Sequence, residues 1–132
     1  VGWTETNLDL AGIPFCGVDI VPTGNDQDLV NGVIFEVPED EMPALIEREK
    51  EYELIKTTAY GFKTSERIGE CLVFSSGNNS GEYDFNSEAQ KRYLNVCLEG
   101  AKQYGKEFYD MFCNTTYIGD KLIRDIKGLY ER

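Results

Sequence analysis

Residues 32–60 read GVIFEVPEDEMPALIEREKEYELIKTTAY, and the parsing of this stretch decides the fold. Gly32-Val33-Ile34-Phe35-Glu36-Val37 is rich in β-branched and aromatic residues and is stopped by Pro38, which predicts a strand. Glu39, Asp40 and Glu41 then put negative charge where the first N–H groups of a helix point. Pro43 is tolerated only within a first turn, so the helix is expected to start near Glu39 or Asp40 and to end by about Tyr52. ELIKTTAY, residues 53–60, alternates and predicts a second strand.

One residue breaks this pattern. Met42, Leu45 and Ile46 share a helix face, and the next position on that face is Glu49. Three placements satisfy such a carboxylate. The helix ends before it and leaves it in solvent, or it pairs with an internal Arg or Lys, or it points into a cavity. The third makes Glu49 a candidate proton shuttle.

Outward from this stretch, residues 1–32 are rich in Gly, Asp, Asn and Thr and predict loops with one or two short strands. Residues 61–69 predict a turn, Cys71-Leu72-Val73-Phe74 a strand and residues 75–86 a polar loop. Ser87-Glu88-Ala89-Gln90 has the pattern of a helix-capping box. From there Tyr93, Val96, Cys97, Gly100, Ala101, Tyr104 and Phe108 keep a helical rhythm, predicting one long helix through Met111 or Phe112. Leu122, Ile123, Ile126 and Leu129 predict a short final helix. Short strands without a sustained βαβ rhythm argue α+β, a small mostly antiparallel sheet or barrel with flanking helices. With 132 residues, one domain spanning 1–132 is expected.

The formal net charge of −11 repels phosphate backbones and anionic lipids, so neither nucleic acid nor a membrane is an expected partner. No apolar run approaches the roughly 20 residues of a membrane helix. The absence of histidine excludes Ser-His-Asp and Cys-His catalysis and histidine-containing metal sites. A general base must be Asp, Glu, Lys, Tyr or Cys. Cys16, Cys71, Cys97 and Cys113 form no Cys-x-x-Cys pair. Cys71 in an apolar strand and Cys97 on an apolar helix face read as reduced, buried thiols, which favours the cytoplasm or an organelle stroma. Asp26-Gln27-Asp28 opens like a calcium loop, but Val30, Asn31 and Val37 stand where the later positions need Asp or Asn, Gly and Glu. Asn78-Asn79-Ser80 and Asn114-Thr115-Thr116 fit the glycosylation triplet, a pattern too short to carry weight alone.

The strand GVIFEVP, the acidic helix, Leu45-x-x-Arg48-Glu49-x-x-Tyr52 and the strand that follows resemble the γ-glutamyl cyclotransferase-like family. The segment from Tyr93 to Gly105, YLNVCLEGAKQYG, is similar to that family's long helix, and Cys71 to Phe74 to one of its strands. GWTET, residues 2–6, is weakly similar to a further family element. The resemblance runs from about Val30 to Thr116 and rests on the order and spacing of these motifs. It implies a small β-barrel with flanking helices, and cyclisation of a γ-glutamyl group to 5-oxoproline with release of an amine or amino acid. It implies Glu49 as the catalytic acid–base group, Tyr52, Tyr93 and Arg48 as substrate-binding residues, and neither metal nor cofactor.

The chain departs from the family in one main respect. The Tyr-Gly-Ser tract that follows the family's first strand, whose loop amides cradle the substrate, is absent. Tyr60-Gly61-Phe62 comes after Glu49, and Tyr104-Gly105-Lys106 is expected inside the long helix. Ile46 and Lys50 stand where Asp and Gly are common. The first strand is therefore expected to be missing, or to belong to a segment before Val1. Two functions follow: a cyclotransferase, impaired if that loop is lacking, or a non-catalytic subunit of the same fold within a larger assembly.

Overall fold

The computed structural model describes residues 2–8, 14–49, 52–76 and 81–130. Strands and helices both form within them. The chain runs β1 (Gly2–Leu8), β2 (Pro14–Asp19), α1 (Met42–Arg48), β3 (Glu53–Tyr60), β4 (Arg67–Ser75), α2 (Glu88–Lys102), α3 (Lys106–Thr115), β5 (Tyr117–Ile118) and β6 (Lys121–Leu122). The strands pair antiparallel as β1–β2, β3–β4 and β5–β6. The fold is α+β, and among the described residues these two-stranded sheets do not close into a barrel.

The β3–β4 hairpin follows from local sequence. Leu54 lies opposite Phe74 and Ile55 opposite Val73, so apolar cross-strand pairs form on both faces. Gly61 and Glu66 close the turn through an N–H···O bond of 2.8 Å. The hairpin is fastened at its two ends. Ser75 donates its hydroxyl to the Ile20 carbonyl, and the Ser76 N–H and hydroxyl both donate to the buried Asp19 carboxylate. At the turn, the Phe62 ring packs on Phe108 of α3 with centroids 5.4 Å apart.

The core lies elsewhere, between α2, α3 and the C-terminal segment. Leu94, Leu98 and Ala101 from α2 meet Tyr109 and Cys113 from α3, with Ile118 and Ile123 closing the cluster. Leu94 is 2% exposed and Ile123 0%, and burial of one such side chain is worth about 1.5–3 kcal/mol. Ser87 caps α2 as expected, its hydroxyl accepting from Gln90 N–H at 3.2 Å. Tyr130 stacks on Tyr109 at 5.6 Å and donates to Asp110 at 2.5 Å, which pins the C-terminal segment to α3.

Several expectations are corrected. Residues 32–37 form no strand, and Val33, Ile34 and Phe35 are 55, 54 and 74% exposed. Strand propensity is realised only against a partner, and no ladder reaches this segment. The helix after Pro38 is shorter than expected: a 3-10 turn at Glu39–Glu41, then α1, which Glu49 terminates by donating its N–H to Leu45 O at 3.1 Å. The expected long helix is two helices. Gly105, at φ +103° and ψ 168°, separates α2 from α3, so Tyr104-Gly105 is a link and not helix interior. The C-terminal stretch forms β6 and a 3-10 turn at Ile123–Asp125 instead of a helix. Strands β1 and β2 are more extensive than the loop-rich reading of residues 1–32. Lys50 and the Asn78-Asn79-Ser80 triplet lie outside the described residues.

Candidate functional site

Glu49 sits where α1 gives way to the approach to β3. As the residue that caps α1 it has left helical geometry, at φ −102° and ψ 29°. That removes it from the apolar stripe and explains why the pattern breaks there. Its side chain is 29% exposed and pairs with the neighbouring Arg48, Nε to Oε1, at 3.3 Å. Arg48 is itself 72% exposed, so this is a half-shielded carboxylate at a surface junction and not an internal ion pair. Such a surface pair is weak and adds little to the fold.

Tyr52 follows one turn later. Its N–H donates to the Glu49 carbonyl at 2.9 Å, which ties the aromatic residue to the acidic one through the backbone. Its side chain is half-buried.

Tyr93 comes from the second turn of α2. Its hydroxyl accepts from the Val18 N–H of β2 at 2.8 Å, bridging helix and strand. Burial, the neighbouring Cys97 and, more weakly, Tyr52 push its ionisation up to about 12. Tyr93 is therefore a neutral hydrogen-bonding group at physiological pH and not a base. Cys97 lies one turn further along the same face, and burial pushes its thiol up, against the hydrogen bond it shares with Tyr93. That thiol keeps its proton at neutral pH and adds polarisable contact rather than a nucleophile.

The structure thus pairs Arg48 with Glu49, and Tyr52 acts on Tyr93 only as a weak electrostatic neighbour. Sequence reading singled out all four but treated Cys97 only as packing. Its spacing of four from Tyr93 was the signal that it shares that residue's face. Cys71, Cys97 and Cys113 are free thiols, the last fully buried and pushed up to about 11 by that burial. The Cys16 side chain lies outside the described residues. Among the described residues no cluster of three or more acidic or thiol side chains is placed to hold a metal ion, and no helix is long and apolar enough to cross a membrane.

Comparisons with protein-family models, with curated proteins and with solved structures found no match.

Proposed function

We propose that the chain is a γ-glutamyl cyclotransferase-like domain whose acid–base group is Glu49. The observation that supports this most is the backbone link from Glu49 to Tyr52, a residue that in turn influences Tyr93.

In the proposed reaction the substrate's α-amine attacks its own γ-carbonyl carbon. A C–N bond forms and closes the five-membered ring. The C–N bond to the departing amine or amino acid breaks, leaving 5-oxoproline. The Glu49 carboxylate takes the proton lost by the attacking nitrogen and returns it to the leaving nitrogen, so no proton is consumed and no second reactant is needed. Arg48 holds the carboxylate in place, and Tyr52 and Tyr93 contact the γ-glutamyl group. The oxyanion that develops on the γ-carbonyl needs N–H donors. The Tyr-Gly-Ser tract that resembles such a cradle in the family is lacking here, so slow turnover belongs to the proposal. So do closure of the strands into a small barrel and residence in a reducing compartment, cytoplasm or organelle stroma.

Incubation of the chain with γ-glutamyl dipeptides, glutathione and γ-glutamyl amines, and with the α-glutamyl isomers as controls, tests this. Chromatographic detection of 5-oxoproline from γ-linked compounds alone is the expected result. If every γ-glutamyl compound is left intact, the enzyme reading fails.

A second reading has its own observation. Val33, Ile34 and Phe35 present consecutive apolar side chains to solvent. A non-catalytic subunit of a larger assembly would cover such a run with a protein partner, keeping the domain without its turnover.

A further inference from the structure

The longest run of exposed apolar side chains among the described residues follows Asn31. Val33, Ile34 and Phe35 are 55, 54 and 74% exposed, and Leu29 and Val30 precede them at 58 and 42%. Asn31 ties the segment to the surface of α3, its side-chain amide donating to the Phe108 carbonyl at 2.9 Å. The residues beyond it, 32–37, have the composition of a strand and join no ladder.

The same chain carries an edge that such a segment fits. Among the described residues β4 pairs only with β3, so its outer edge presents backbone N–H and C=O groups to a further strand. Arg67, Ile68, Glu70 and Leu72, in the first part of β4, are exposed, Ile68 at 65% and Leu72 at 50%. Residues 32–37 and 67–72 are of equal length and span about 20 Å as strands. Charge selects the direction of pairing. Antiparallel pairing brings Glu36, Glu39 and Asp40 to the turn of the hairpin, where Lys63 and Arg67 stand beside one carboxylate, Glu66. Parallel pairing brings them to the far end, beside Glu53 and Asp19. Glu36, Glu39, Asp40, Lys63 and Arg67 are engaged in no ion pair among the described residues.

We propose that two copies of this chain associate by exchanging this segment, residues 32–37 of each copy adding antiparallel to the outer edge of β4 in the other. The exchange makes one contact twice about a two-fold axis. The pair is therefore closed, and it covers both apolar runs for a single loss of translational freedom. The net charge of −11 on each copy opposes approach. At about 0.15 M salt that repulsion is screened beyond a Debye length of about 8 Å, while the strand contact is made at closer range. The association is independent of the reaction proposed for Glu49 and holds whether or not the domain is a catalyst.

Sedimentation velocity of the 132-residue chain at that ionic strength, from micromolar to millimolar concentration, is expected to show a monomer–dimer equilibrium. Phe35→Glu and Ile68→Glu alter one side of the contact each, at exposed positions. Each should raise the dimer dissociation constant at least about tenfold, with circular dichroism confirming the fold. A synthetic peptide of residues 29–38 should dissociate the native dimer and shift the amides of residues 67–72 in an isotope-labelled chain. The same peptide carrying Phe35→Glu should do neither. A native chain that stays monomeric throughout overturns the proposal. So does a dimer that Ile68→Glu leaves intact, or peptide shifts mapping to residues 32–37, because the segment would then meet its own counterpart instead of β4. The peptide series on the native chain decides the matter even where a variant does not fold.

Discussion

Tyr93 donates no charge to the site, but its hydroxyl holds β2 to α2 by accepting the Val18 N–H at 2.8 Å. Removing that oxygen leaves a half-buried donor without its acceptor, which costs about 1–2 kcal/mol. Tyr93→Phe is expected to lower the unfolding free energy by that amount in urea titration. The pH dependence has a definite sign. The folded-state pKa is raised to about 12 from an ordinary value of 10.0, so the contribution of neutral Tyr93 is fully present below pH 10 and is lost as pH rises through about 12. The native chain should therefore lose stability over that alkaline window, and Tyr93→Phe should lose less. At this scale the sequence was informative about identity more than placement. The spacing of Arg48, Glu49 and Tyr52 was legible as a motif. The pairing of Glu49 with an exposed Arg48, and the bridge from Tyr93 to Val18, depend on where α1 ends and on contact with β2, and no local pattern encodes either.

Elements defined by local chemistry were read correctly from the sequence. The Ser87 cap and the β3–β4 alternation need only near neighbours, and both form. Two of the errors of element have separate causes. Apolar rhythm continues through Tyr104 and Phe108, so periodicity ran across the break at Gly105, where a positive φ ends one helix and starts the next. Residues 32–37 have strong β propensity but join no ladder among the described residues, and propensity without a partner does not make a strand. Gly105 supplies a prediction. A Cβ there would meet nothing within 4 Å, so a substitution acts through the backbone alone. Gly105→Ala is expected to destabilise by about 1–3 kcal/mol in thermal or urea unfolding, since φ +103° with an extended ψ belongs almost entirely to glycine. An unchanged midpoint would mean that the α2–α3 link tolerates a different geometry.

For the whole molecule, the α+β class was legible because it follows from which elements exist. Closure of the strands into a barrel was not, because it depends on pairing between segments far apart in sequence. The core between α2, α3 and the C-terminal segment shares few buried side chains with the β3–β4 hairpin, which is held at its ends by Asp19, Ile20 and Phe108. Stability should be distributed accordingly. Hydrogen exchange is expected to be slowest at amides of α2 and α3 around Leu94, Leu98 and Cys113, with the hairpin exchanging through a lower-energy opening. Uniform protection across hairpin and helices would show instead that they unfold as one unit. The Arg48–Glu49 pair lies at the end of α1, and Tyr93 lies on α2 against Val18 of β2.

The most direct measurement is the rate of 5-oxoproline formation from a γ-glutamyl dipeptide by the native chain and by Glu49→Gln, with circular dichroism confirming that both are folded. The account predicts product from the native chain and none above background from the variant, which keeps the shape of the side chain but cannot carry the proton. A folded Glu49→Gln chain that forms 5-oxoproline at the native rate would contradict it.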